Sequence, residues 1–449
     1  MNRPYDTSLK KHEGNAVEQH EGDAPTPGRP RVVIVGGGFA GIAAARELRY
    51  APAQVVVVDR VNHHLFQPLL YQVAGCMLAD GDIASPIREL LASQGNTVVA
   101  LAEVIGLDPA KRQIYLDLYP EHPFDYDYLV VAVGVETSYF GHDEWARFAP
   151  GMKTLEEGIA LRSRILEAFE LAELQEDPGA LPELTTFVIV GGGPTGCELA
   201  GSFSEMFRET LAREFRRFDP ARARVILVEA GPRLLPAFAP ELAEKAHREL
   251  ERIGVEVWLN SRVENIDADG VNIGGKRVAS RNVIWAAGVQ GAGLCGLLRG
   301  ERDRQGRLVV EPDLTVPGYP EIFVVGDAAS IRHGTGTLPG VAPVAIQSGR
   351  YAGQAILRRM QGGPAPPPFV YHDKGNMATI GRTFAIMESN RVRLSGRAAK
   401  LAWAFLHIWY LMQNEDKLVV FTKWAWHYFT RTRGTRLIEG RTMPPTKSD

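Results

Sequence analysis

Two glycine-rich turns, each at the end of an apolar run and each answered by an acid further on, are the residues of this sequence best suited to chemistry. Gly36-x-Gly38-x-x-Gly41 follows Val32-Val33-Ile34-Val35, and Asp59 closes the next apolar run 23 residues after Gly36. Gly191-x-Gly193-x-x-Gly196 follows Phe187-Val188-Ile189-Val190, and Glu229 closes the run that starts at Val225. This spacing fits a nucleotide pyrophosphate. The first glycine makes a tight turn, the second lets phosphate approach the backbone, and the third lets a helix lie close to the strand. The helix N-terminus presents unpaired N–H groups to the phosphates, and the acid accepts from a ribose hydroxyl. At the second turn a carboxylate disfavours a 2'-phosphate, so Glu229 favours NAD over NADP. Ala230 follows it, although Arg233 lies near in sequence.

A simple dehydrogenase needs one dinucleotide site. Two in one chain point to a relay in which one holds a flavin and the other admits a nicotinamide nucleotide, because a flavin releases electrons singly or in pairs. The first turn opens the fold and is assigned to FAD. The second is assigned to NADH as substrate. A further strand, Ile322–Val325, ends in Gly326-Asp327 beside small residues and reads as another ligand loop.

The elements that must position these residues follow from local pattern. Each turn sits between a short β-branched strand and a helix, the first helix running from about Gly38 to Leu48. The gap after the second turn, Phe203 to Phe218, predicts a long helix with a charged face, and Glu241 to Arg252 predicts another. The fold class is α/β, with two Rossmann-like dinucleotide-binding domains, the second inserted in the first, followed by a C-terminal helical membrane-associating region. The expected bounds are a disordered leader over 1–29, an FAD-binding domain over 30–150 and 305–363, an NADH-binding domain over 151–304, and the C-terminal region over 364–449.

Composition narrows the alternatives. The chain has 449 residues, 45% of them hydrophobic, which is enough for two or three cored domains. A net charge of -3 gives no reason to expect nucleic acid as a partner. Three cysteines without a CxxC argue against a disulfide scaffold or an iron–sulfur or zinc site. His63 and His64 are adjacent and lack a Cys or carboxylate cluster, so no metal is expected there. The leader has no apolar core segment of the kind a signal peptide needs.

The tail differs from the rest. Residues 391–449 hold 11 Lys and Arg against 4 Asp and Glu, a balance of +7 that leaves -10 on the remainder. Ala398 to Met412 is apolar but for Lys400 and His407, and Leu418 to Phe429 is similar. Trp403, Trp409, Trp424 and Trp426, four of the seven tryptophans, fall here. From Leu401 the first segment spans about 18 Å as a helix, short of the roughly 30 Å of hydrocarbon. Aromatic residues beside basic ones favour the interface. The tail therefore predicts monotopic attachment to the cytoplasmic face of the cell inner membrane. The alternative is a helical hairpin packed on the protein or on the partner of a homodimer. Both can hold together, since a dimer would present two platforms. Glu415 and Asp416 would oppose attraction to anionic lipid.

Longer motifs carry a resemblance. Asn62-His63-His64-Leu65-Phe66-Gln67-Pro68-Leu69-Leu70-Tyr71-Gln72-Val73-Ala74 resembles the type II, non-proton-pumping NADH:quinone oxidoreductases, as does Gly191-Gly192-Gly193-Pro194-Thr195-Gly196-Cys197-Glu198-Leu199-Ala200-Gly201. Ser138–His142, Gly340–Gln347 and Asp373–Gly381 also match, so the likeness runs from about residue 31 to 438. It implies hydride transfer from NADH to FAD and then two electrons to a membrane quinone, without proton pumping. Glu198 would lie near nicotinamide and flavin, Gln347 at the quinone pocket beside the flavin ring, and Lys374 near the isoalloxazine. Gly36, Gly38, Gly41, Asp59, Gly326 and Asp327 would hold FAD, and Gly191, Gly193, Gly196 and Glu229 the NADH. Sulfide:quinone oxidoreductase is the nearest alternative and needs a redox cysteine pair. Cys76, Cys197 and Cys295 offer none in sequence, and the second fingerprint favours NADH. Other NAD(P)H-dependent flavin oxidoreductases leave the aromatic tail unexplained. A non-enzymatic redox sensor is the remaining alternative.

Overall fold

The computed structural model of the chain describes residues 28–390 and 392–440. The leader expected over 1–29 thus lies outside the described residues, apart from its last two. In chain order the elements that frame the site are β1 (Arg31–Val35), α1 (Phe39–Glu47), β2 (Gln54–Asp59), α2 (Leu70–Ala74), β3 (Thr97–Leu101), β4 (Tyr128–Val131), α3 (Leu155–Leu174), β5 (Thr186–Val190), α4 (Pro194–Glu205), β6 (Arg224–Val228), α5 (Pro240–Arg252), β7 (Val255–Trp258), β8 (Asn282–Trp285), β9 (Thr315–Val316), β10 (Tyr319–Val324), α6 (Ala342–Met360), β11 (Asn376–Ile380), β12 (Phe384–Ser389), β13 (Val392–Gly396), α7 (Arg397–Tyr410) and α8 (Asn414–Thr430), with shorter strands and helices between them.

The first sheet runs β9-β10-β4-β1-β2-β3, parallel except for the β9–β10 pair. The second runs β7-β6-β5-β8, all parallel. Its strands fall in sequence between β4 and β9. The β-branched runs suit this: a parallel sheet is covered on both faces and needs continuous apolar strands. Val32, Val33 and Ile34 on β1, and Phe187, Val188 and Ile189 on β5, are fully buried. A third, antiparallel sheet, β11-β12-β13, leads into the tail helices.

Small residues bring α6 against α1. A methyl at Gly349 would strike the Ala40 carbonyl, and one at Gly353 would lie 2.7 Å from Glu47 Cβ. This close packing sets Gln347, two residues before Gly349, relative to the first fingerprint helix.

The long helix expected over Phe203 to Phe218 does not form. α4 ends at Glu205, passes into one π-turn over Met206–Thr210 and then a 3-10 turn over Leu211–Arg213. The cause is packing. In a straight helix Phe207 and Phe218 would stand about 16 Å apart. Both rings instead meet Phe169, with centroids at 4.8 and 5.8 Å, so the chain must curl.

The tail packs and exposes at once. Trp403 and Val420 are buried, while Leu401, Phe405 and Trp409 on α7 and Leu418, Phe421 and Phe429 on α8 face outward. Asp416, expected to oppose lipid, points inward and accepts from Ser85 Oγ at 3.2 Å. Lys423 pairs with Asp82 at 2.6 Å. Among the described residues no helix is long and apolar enough to cross a membrane.

Candidate active site

The two fingerprints build the same device twice. Gly36 and Gly191 have φ of +105° and +117°, and their N–H groups donate to the carbonyls of Val58 and Val228, each at 2.8 Å. A methyl on Gly41 would collide with the Gly36 carbonyl, and one on Gly196 with that of Gly191. Asp59 and Glu229 each brace their own turn. Asp59 Oδ2 accepts from Gly37 N at 2.5 Å, and Glu229 Oε2 from Gly192 N at 2.7 Å. The second oxygen of Glu229 accepts from Gly231 N at 2.6 Å. Around Gly38 and Gly193 nothing lies within 4 Å of an added methyl. Neither α1 nor α4 has a side-chain cap or an acid in its first turn. Both N-termini are therefore open, electropositive cradles that fit a pyrophosphate. Arg233 turns away, giving its guanidinium to the carbonyls of Phe238 and Pro236.

Gly326 and Asp327 lie in a 3-10 turn directly after β10. Gly326, at φ +66°, packs between Ala40 of α1 and Ala345 of α6, where an added Cβ would be 3.2 and 3.4 Å from theirs. Asp327 is thereby held beside the first cradle. Burial raises its pKa, opposed by the charges of Lys153 and Arg307. His64, adjacent to His63, is buried with Nδ1 3.0 Å from the Gly37 carbonyl and its ring edge-on to Phe39. It steadies the first turn. No group of three or more His, Cys, Asp or Glu arranged for a metal occurs among the described residues.

Glu198 is the fifth residue of α4 and lies beyond its first turn. It lines a cavity of about 700 Å³ enclosed by α2, α4, the β11–β12 turn, α7 and α8. Burial pushes its carboxyl up to about 8, against the Thr379 N–H, which donates to Oε1 at 3.3 Å, and the charge of Lys400. Lys400 lines the same cavity. Its Nζ donates to Thr379 Oγ1 at 2.5 Å and the Gly381 carbonyl at 3.1 Å, and it sits 4.3 Å from the Trp403 ring centroid. Burial lowers its pKa to about 8, opposed by Glu205 and Glu198. Thr379 thus touches both groups.

Gln347 and Lys374 lie elsewhere. The Gln347 amide donates to the His372 carbonyl and accepts from His372 N, both at 3.0 Å. It clasps the segment that carries Lys374, whose side chain is exposed. Neither lines the 700 Å³ cavity. Sequence reasoning missed Lys400. Its signal was a cation interrupting an otherwise apolar helix.

The cavity has a mixed lining. Trp403, Ala404, Ile408, Phe421, Trp424 and Ala425 are its apolar members, with Phe405 and Trp409 largely exposed. Glu198, Glu205, Arg382, Lys400 and Arg433 supply charged side chains, and Lys400 meets the apolar members at the Trp403 ring. The three cysteines are buried and free, and burial raises every thiol pKa, those of Cys76 and Cys295 to about 11. A thiolate shuttle has no candidate among them.

Two dinucleotide cradles beside a cavity of mixed lining define an FAD-dependent oxidoreductase of pyridine nucleotides. The family model described as pyridine nucleotide-disulphide oxidoreductase matches residues 30–349. A type II NADH:quinone oxidoreductase of Mycobacterium tuberculosis, Ndh, is 41% identical over 93% of this chain and 92% of its own length. A second from the same organism, NdhA, is 42% identical over 92% and 90%. The NDH2 of Plasmodium falciparum, solved in complex with NADH, shares the fold: TM-score 0.82 at 18% identity, over 90% of this chain and 99% of that one. The chain belongs to the type II NADH:quinone oxidoreductases, FAD enzymes that pass electrons from NADH to quinone without pumping protons.

Proposed function

We propose how this chain divides that reaction among its residues. The first cradle, Gly36, Gly38 and Gly41 with Asp59, Gly326 and Asp327, holds FAD within residues 30–150 and 305–363. The second, Gly191, Gly193 and Gly196 with Glu229, holds NADH within residues 151–304. Bound FAD supplies the relay between hydride donor and quinone. Gln347 positions the 372–374 segment beside the flavin site, and Lys374 offers a cation there as negative charge develops.

The quinone headgroup lies beside Glu198 and Lys400 in the 700 Å³ cavity, and its isoprenoid tail leaves past Phe405 and Trp409 toward lipid. One observation carries this reading: Glu198 on α4 and Lys400 on α7 line the same cavity, and the tail helices that wall it also carry outward-facing apolar side chains. Near neutral pH Glu198 holds its proton and Lys400 its charge. Both can hydrogen-bond a quinone oxygen and deliver protons to it as electrons arrive. α7 and α8 lie on the cytoplasmic surface of the cell inner membrane as a monotopic platform, and a homodimer would present two.

The test uses the detergent-solubilised holoenzyme. NADH added without oxygen should bleach the flavin, and a soluble quinone should restore it over repeated turnovers. Ala404→Trp, which fills part of the cavity, should abolish quinone turnover and spare NADH:ferricyanide activity, since that hydrophilic acceptor needs no apolar cavity. Unchanged quinone kinetics in this variant would remove the quinone from the cavity.

A further inference from the structure

The segment Ser138–His142 is fastened to the second sheet and leaves one large ring outside. Just before it, residues 135–137 pair antiparallel with 289–291. One of these strands follows β4 of the first sheet and the other follows β8 of the second, so the pair links the two dinucleotide domains. Trp285 Nε1 donates to the Ser138 carbonyl, and the Tyr139 hydroxyl to the Ala149 carbonyl, each at 2.8 Å. Tyr139 and Trp285 are buried. Phe140 is 67% exposed, with its ring centroid 6.2 Å from that of Trp285. Its backbone holds φ +54°, a left-handed conformation that a bulky residue adopts at a cost. The neighbours hold this ring in place, and its outer face stays open.

The position of the ring says what that face meets. It covers Gly288, where an added methyl would strike it. Gly288 is exposed and lies three residues beyond β8, at the carboxyl edge of the second sheet. Open α/β sheets bind ligands outside that edge. The same segment touches the second cradle: a Cβ on Gly191 would stand 2.7 Å from the Ala286 carbonyl oxygen and 2.9 Å from Ala287 Cα.

Strand order then sets the direction of the nucleotide. The sheet runs β7-β6-β5-β8. Glu229, the ribose acceptor, follows β6, and the pyrophosphate cradle follows β5. Neighbouring strands lie about 4.8 Å apart. A dinucleotide laid from Glu229 through Gly193 therefore carries its remaining half over the end of β8, where Phe140 lies. On the reading that the second cradle holds NADH, we infer that Phe140 binds the nicotinamide riboside half, packing its open face against it beside the link between the domains. Glu229 and Phe140 then grip opposite ends of one nucleotide, the first by hydrogen bonding and the second by apolar contact. Because its backbone is already fixed, Phe140 loses little freedom when the nucleotide arrives.

Calorimetric titration of the full-length, FAD-loaded protein tests this with two probes, NAD and ADP. ADP ends at the pyrophosphate, so it reports the cradle without the riboside. Phe140→Ala should raise the Kd for NAD about three- to tenfold, the scale of one lost aromatic contact, and leave the Kd for ADP at its wild-type value. Phe140→Tyr keeps the ring and should keep both. The KM for NADH with ferricyanide should follow the Kd for NAD. Glu229→Ala should weaken NAD and ADP alike. An unchanged Kd for NAD in Phe140→Ala would overturn the inference. So would an equal loss of NAD and ADP in that variant, the mark of a displaced sheet edge, or a loss in Phe140→Tyr as large as in Phe140→Ala. If Glu229→Ala weakens both probes while Phe140→Ala alters neither, the second cradle keeps its nucleotide and this inference alone fails. If Glu229→Ala also alters neither, the cradle assignment falls and takes the inference with it.

Discussion

Phe405→Ser combined with Trp409→Ser should strip the protein from membranes and leave its fold intact. The two side chains stand four residues apart on the outer face of α7, 69% and 68% exposed. Their rings stack on one another at 6.2 Å. Fully burying a large apolar side chain contributes about 1.5–3 kcal/mol. At two-thirds exposure each has about 1–2 kcal/mol still to gain from lipid. The pair is therefore worth about 2–4 kcal/mol, a drop in membrane partitioning of about 30- to 1000-fold. Vesicle co-sedimentation across a lipid titration measures this directly. Thermal unfolding should move little, because outward-facing substitutions of this kind cost less than about 0.5 kcal/mol. Turnover with a quinone dissolved in the vesicles should fall with binding, since both residues also edge the cavity. Unchanged partitioning by a folded double variant would refute the reasoning and leave α7 as an ordinary packed helix.

Other perturbations test the rest of the site. Gly41→Ala places a methyl on the Gly36 carbonyl, and overpacking there should weaken FAD retention about tenfold or more, read from the flavin-to-protein absorbance ratio. Glu229→Ala removes the acceptor of Gly192 and Gly231 and the ribose partner. Its kcat/KM for NADH should fall about 10- to 100-fold, with a smaller loss for NADPH, so the preference between the two narrows. Quinone turnover should decline as pH rises through about 8. Glu198 is protonated and Lys400 charged below that pH, and each loses its proton above it. The ferricyanide reaction, which needs no proton delivery, should show no such limb. Glu198→Gln should remove part of the limb, and its persistence unchanged would exclude Glu198 as a donor.

The parts of this molecule legible in sequence are those fixed by neighbours along the chain. A β-branched strand, a three-glycine turn and a strand-end acid are local signals, and both copies fold as their spacing demands. The helix after the second turn was not legible in length, because the Phe169 ring that curls it lies about forty residues upstream. Lys400 and Arg433 were visible as residues and misleading as signals. A cation near tryptophans in an apolar tail reads as a membrane-surface group, and only the return of that tail onto α4 turns it inward. Gln347, suggested by resemblance, bonds His372 in the segment that carries Lys374, and neither residue lines the cavity that Glu198 lines. That arrangement depends on where the 364–375 connection runs, which no periodicity encodes. Asp416 was misjudged for a related reason: its partner, Ser85, belongs to the first domain.

The segment after α8 is fastened to both halves of the body, through Leu78 and Gly75 on one side and Ser202 and Glu214 on the other. A tail built this way cannot behave as a detachable tag. Trimming it would open one wall of the 700 Å³ cavity and take away Arg433, the cation that stands 3.9 Å from buried Glu205.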